Sequence, residues 1–155
     1  MNSPAGLTLF IDADACPVKD ECYRVAARHR AQVRLVSNRM IAAPRDPQIE
    51  RVVVAEGLDK ADDWIAERAA PGSVVVTADI PLADRCVKAG ALVVSPKGTI
   101  IDEGSVGMAL ASRNLMTDLR EAGQQTGGPA PFAQRDRSRF LQSLESAMRR
   151  ASRAL

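Results

Sequence analysis

Apolar and polar positions follow two rhythms along this chain. Leu7-Thr8-Leu9-Phe10-Ile11 is uncharged and reads as a strand buried on both faces, ending at Asp12-Ala13-Asp14. Val18, Cys22, Val25 and Ala26 then recur at helical spacing, predicting a helix to about Arg30, with Pro17 suited to its first turn. Gln32–Ser37 reads as a second strand, 38–48 as a loop with two prolines, and Arg51–Ala55 as a third strand. A helix is expected from Asp59–Asp62 to about Ala69, stopped by Pro71-Gly72. Ser73–Thr77 is the clearest strand. A helix from Pro81 to about Lys88 follows it, with Gly90 as its cap. Ala91–Ser95 is a fifth strand, and 97–101 a short edge strand. A longer helix is predicted from about Ser105 to Ala122, a loop over 124–131, and a final helix from about Arg137 to Ala151.

Strands alternating with helices at this spacing predict right-handed crossovers and a mostly parallel sheet of about five strands. The expected organisation is α/β, one domain over residues 1–155, with 124–155 forming a loop and a C-terminal helical segment. Aromatic residues are only 3% of the chain, so the core is expected to be aliphatic, which suits helices packed on a parallel sheet.

The net charge of +2 is uninformative by itself, but its distribution is uneven. Residues 135–155 carry six arginines against two acids, while residues 1–134 carry 15 basic and 17 acidic residues. That tail suits phosphate binding or a solvated helix face. Cys16, Cys22 and Cys86 form no CxxC pair and read as free thiols of a reducing compartment. The N-terminal residues show no signal-peptide pattern, and no apolar run approaches ~20 residues, so a cytoplasmic location and no membrane partner are expected.

The chemistry concentrates where strands end. Asp12 and Asp14, two apart in an extended chain, are expected side by side at the end of a core strand. There they repel unless a cation lies between them. Asp62 and Asp63 begin the helix after the third strand, Asp79 follows the fourth, and Asp84 lies about 1.4 helical turns further on. In a parallel sheet these positions share one edge, where open sheets place their sites. An oxygen-only donor set suits Mg²⁺ or Mn²⁺, and such a site points to phosphoryl chemistry. Each acid has a plainer role open to it. Asp79, Asp62 or Asp63 could serve as helix caps, and Asp84 could pair with Lys88. Cys16 lacks a partner base and reads as buried, and His29 as a surface residue ending a helix.

Other phosphate-handling folds fit less well. A haloacid-dehalogenase-type phosphatase has DxD after its first strand but needs its acidic pair late, and Asp62-Asp63 precedes Thr77. A response-regulator receiver wants its acidic pair first and a single acceptor Asp later. No GxxxxGK[ST] phosphate loop occurs.

Asp12-Ala13-Asp14-Ala15-Cys16-Pro17-Val18-Lys19 resembles the signature of the YaiI/YqxD family of bacterial proteins. So do Ala61–Ile65, Val76–Ala83, Gly127–Phe132, and Asp136-Arg137 with Phe140, in the family's order. The resemblance covers nearly the whole chain and implies a three-layer PIN-like fold, related to PIN and NYN nucleases. In those relatives, acids after the first strand, at a central helix start and after the fourth strand bind Mg²⁺ or Mn²⁺ for RNA cleavage. Asp12, Asp62 and Asp79 match that pattern as catalytic acids and metal ligands, with Asp14 and Asp84 as supporting ligands. Lys19, Arg137 and the arginines of the last helix are candidate phosphate contacts on RNA. Phe132 and Phe140 are candidate anchors of the C-terminal segment. The alternative is a non-catalytic PIN-like module that binds RNA or protein.

Overall fold

The computed structural model describes residues 6–55, 57, 60–112 and 132–155. Six strands form one sheet: β1 (Thr8–Asp12), β2 (Gln32–Ser37), β3 (Ile49–Val53), β4 (Ser73–Val76), β5 (Leu92–Val94) and β6 (Ile100–Ile101). Their order is β3-β2-β1-β4-β5-β6, parallel except for the antiparallel β5–β6 pair. The helices are α1 (Lys19–His29), α2 (Lys60–Arg68) and α3 (Ile80–Lys88), then α4, helical over 106–112, and α5 (Gln134–Arg153). The remainder of the helix expected to Ala122, the loop over 124–131 and Gly127–Pro131 of the matched block lie outside the described residues.

Alternation along the central strands builds two cores. Leu9, Ile11, Val33, Leu35, Val74 and Val76 face α1 and α5, where they meet Cys22, Val25, Phe140, Leu144 and Met148. Phe10, Val36, Val75 and Val93 face the other way, toward Ile65 of α2, Leu82, Ala83 and Cys86 of α3, and Val106. The result is three layers with a mostly parallel sheet in the middle, consistent with the expected PIN-like arrangement. Val18, Cys22, Val25 and Ala26, the predicted apolar face of the first helix, are all buried.

Several local features differ from the sequence expectation. β3 lies two residues earlier, because its register is set by pairing Ile49 to Val53 with Val33 to Ser37 of β2. As an edge strand it is half-exposed, so its own apolar pattern is weak. α5 begins at Gln134, where the Asp136 carboxylate accepts a hydrogen bond from the Ala133 N–H at 2.8 Å. The chain after Asp12 is not extended: Ala13–Ala15 form a 3-10 turn.

The β5–β6 hairpin packs its turn directly on α5. A Cβ at Gly98, where φ is +92°, would lie 2.9 Å from backbone atoms of Arg139 and Phe140. Ser143 Oγ donates to the Gly98 carbonyl across the same contact. Phe140 is fully buried and Phe132 packs against the same core, so both aromatic residues anchor the C-terminal helix. No described helix is long and apolar enough to cross a membrane.

Candidate functional site

Right-handed crossovers leave β1 and β4 in opposite directions. α1 carries β1 to β2 over one face, and α3 carries β4 to β5 over the other. The carboxyl ends of these adjacent strands therefore flank the switch point of the sheet, where open α/β folds leave a crevice. Asp12 is the last residue of β1, and Thr77 is the first after β4. Ile11 pairs with Val76, so the two side chains are neighbours.

Thr77 joins the acids. Its buried hydroxyl donates to Asp12 Oδ2 at 2.8 Å and accepts from the Asp79 N–H at 3.0 Å. Asp79 caps α3, accepting from the Leu82 N–H at 3.0 Å through Oδ1, with Pro81 in the first turn. The capping role open to Asp79 in the sequence is thus real, and it also fixes the carboxylate beside Thr77.

Asp14 arrives by a different route from the one expected. Because Ala13–Ala15 turn, it does not stand beside Asp12 along a strand. Its Oδ2 accepts from the Asn38 N–H at 3.2 Å, tying the turn to the loop after β2. Its Oδ1 is buried and has no hydrogen-bond partner among the described residues. A carboxylate oxygen left dry and unpaired is costly, and such an atom suits a ligand that brings positive charge.

Burial raises the Asp12 carboxyl above the ordinary aspartate range. The Thr77 hydrogen bond opposes that rise, and the negative charges of Asp14 and Asp79 add to it. Asp12, Asp14 and Asp79 therefore act on one another as like charges.

The other sequence-predicted residues take separate places. Asp62 lies in the first turn of α2, at the same edge of the sheet, and its charge acts on Arg85 and Cys86. Asp63 pairs with Arg85 at 2.8 Å. Asp84 pairs with Lys88 at 2.9 Å, the plainer role open to it. Lys19 donates to the Cys16 carbonyl at 2.9 Å, which keeps its ammonium near the turn.

Arg137 reaches the Pro17 carbonyl at 3.0 Å and Glu21 at 3.2 Å, and its guanidinium lies 5.0 Å from the Phe132 ring centroid. It clamps the start of α5 to the start of α1. Arg149 and Arg150 of the basic tail also have acid partners, Glu145 and Asp102. His29 is half-buried, with Nε2 2.6 Å from Glu145, so it joins α1 to α5. Cys16, Cys22 and Cys86 are free and buried.

The donor chemistry at the switch point suits a hard divalent cation: carboxylate oxygens that repel one another, one of them orphaned among the described residues. As the side chains stand, no group of three or more Asp, Glu, His or Cys among the described residues is gathered closely enough to hold an ion. The site is a donor set poised around Asp12, not a finished cage. Thr77 is the member that sequence reasoning passed over. The signal for it was a hydroxyl ending the Val74-Val75-Val76 run two residues before Asp79.

The family model described as "Uncharacterized BCR, YaiI/YqxD family" matches residues 10–150. A UPF0178 protein of Azorhizobium caulinodans is 62% identical over 151 residues, covering 97% of this chain and 95% of that protein. UPF0178 protein bll3966 of Bradyrhizobium diazoefficiens is 61% identical over 145 residues, covering 94% and 87%. A UPF0178 protein of Rhodopseudomonas palustris strain BisB18 is 59% identical over 146 residues, covering 94% of each chain. No solved structure matches. All the acids discussed above lie within the matched span, and the chain belongs to the YaiI/YqxD family.

Proposed function

We propose that this protein is a Mg²⁺- or Mn²⁺-dependent hydrolase of RNA phosphodiesters. The observation that carries the reading is the acid set at the β1/β4 switch point, where Thr77 bridges Asp12 and Asp79 and Asp14 keeps an oxygen orphaned among the described residues. Asp12, Asp14 and Asp79 would hold the ion, with Asp62 and Asp84 as outer acids at the same edge. When bound, such an ion supplies polarisation of a phosphate oxygen and a bound water of lowered pKa. The chain's own part is positional. Thr77 holds the Asp12 carboxylate in one orientation, and the α3 cap holds Asp79. Lys19 lies close enough to the turn to meet a substrate phosphate. Arg137 would have to leave Glu21 and Pro17 to do so. The kinship of fold to PIN and NYN nucleases that the family resemblance implies supports this chemistry by analogy.

A non-catalytic RNA- or protein-binding module draws on the incomplete gathering of the acids. The two readings separate in one assay. Purified protein and Asp12→Asn are incubated with mixed RNA, with Mn²⁺ or with chelator. The hydrolase reading expects Mn²⁺-dependent cleavage by the wild type and at least a hundredfold loss in the variant. Equal cleavage by both would sink the hydrolase reading at these acids, and RNA binding without cleavage that survives chelation would leave the binding module.

A further inference from the structure

Beside the acid set, at the same edge of the sheet, lies a cleft of about 290 Å³ lined by Val54, Ala55, Lys60, Asp63, Trp64 and Glu67. Its four α2 residues fall at i, i+3, i+4 and i+7, one stripe of the helix. Trp64 is the chain's only tryptophan, in a sequence with 3% aromatic residues. It is half-buried, with its ring edge-on to Phe10 at a centroid distance of 6.0 Å. The Arg68 guanidinium lies 4.0 Å from the Trp64 ring centroid. β3, whose end borders the cleft, is two strand spacings from β1, about 10 Å.

We propose that this cleft is a nucleobase subsite for single-stranded RNA, in which Trp64 stacks the base and Glu67 reads its amino group. The proposal rests on the nucleic-acid reading above and names where a neighbouring base would sit.

Stacking on an aromatic side chain accepts any base, so discrimination must come from the polar lining. Asp63 is held by Arg85 at 2.8 Å. The Glu67 side chain is 68% exposed, and its one ion pair among the described residues is a long one to Arg68, at 3.6 Å, so its carboxylate is open to a ligand. A carboxylate accepts from the N4 amino group of cytosine but repels the O4 carbonyl of uracil. Among the described residues Lys60 has no ion-pair partner, and its ammonium can meet the phosphate that follows. The base must be unpaired, because only then is its Watson–Crick edge free.

The lone tryptophan is its own reporter. Short fluorescein-labelled oligocytidylate and oligouridylate are titrated in chelator, reading polarisation and Trp64 emission together. The expected result is quenching of Trp64 on binding and a preference for cytosine of about tenfold. Glu67→Gln, a surface change whose amide donates to O4, abolishes that preference and keeps the quenching. Trp64→Ala weakens both oligomers about tenfold, and Trp64→Phe, which keeps a ring beside Phe10, weakens them less. Binding that leaves Trp64 emission unchanged and treats the two oligomers alike in wild type and Glu67→Gln would overturn the subsite alone. If the wild type binds neither oligomer, the nucleic-acid reading itself fails and the subsite with it.

Discussion

At the amino edge of the sheet Glu145 faces Arg28, His29 and Arg149, and Asp102 faces Arg150. At the carboxyl edge Asp12 faces Asp14 and Asp79. Arg28's hydrogen bond holds the Glu145 carboxyl below its ordinary value, and Arg150's does the same for Asp102. Burial and its acidic neighbours push Asp12 the other way. One edge spends its charges on joining α5 to α1 and to the end of β6. The other sets Asp12 against Asp14 and Asp79 at the point where the crossovers part. Charge arranged against stability at a sheet's switch point is expected where a ligand completes the balance.

Replacing the hydroxyl that organises the carboxyl edge tests this comparison most severely. Thr77→Val keeps the volume but leaves buried Asp12 Oδ2 and the Asp79 N–H without a partner. It is expected to cost about 1–3 kcal/mol in urea unfolding. Loss of that donor also raises the Asp12 carboxyl further, which NMR titration of the side chain reads directly. A neutral substitution with an unchanged titration would mean that Thr77 does not organise the acids.

A smaller effect is expected at the amino edge. Glu145→Gln removes a pair that is partly solvent-screened, since the Arg28 side chain is 52% exposed, and is expected to cost about 0.5–1 kcal/mol. The pH dependences of the two edges should run in opposite senses. Glu145 titrates lower in the folded state, so its contribution is complete above about pH 4.3 and fades as the pH falls through the depressed value. Asp12 titrates higher, so its protonated form favours folding at low pH, and that advantage is lost as the pH rises through the raised value. Unfolding curves of wild type and Glu145→Gln should therefore converge in acid. Curves that stay parallel from neutral pH downward would break the contrast between the edges.

The fold was legible wherever strands are buried on both faces. β1, β2 and β4 stand out as apolar runs because parallel central strands need apolar residues on each side. β3 was displaced by two residues because an edge strand with exposed Glu50 and Arg51 carries little pattern of its own. In the site, Asp12, Asp14 and Asp79 were readable as acids at strand ends. Their arrangement was not, because the 3-10 turn that redirects Asp14 leaves no strong mark in the sequence. Thr77 was hidden for a different reason: its partner Asp12 is 65 residues away, and only the β1–β4 register makes them neighbours. Arg137 was expected to meet a phosphate, yet its partners are Glu21 and Pro17, set by the docking of α5 on α1.

The central claim is that the carboxyl-edge acids oppose one another until a cation joins them. Unfolding free energies of wild type and Asp12→Asn, measured at neutral pH with and without Mn²⁺, test it most directly. Without metal, Asp12→Asn should be the more stable, because the amide oxygen still accepts the Thr77 hydrogen bond and the repulsion is gone. With Mn²⁺ at a hundred times its dissociation constant, the wild type should gain about 2.7 kcal/mol and overtake the variant. A variant less stable than wild type without metal, and an equal response of both proteins to Mn²⁺, would contradict the account.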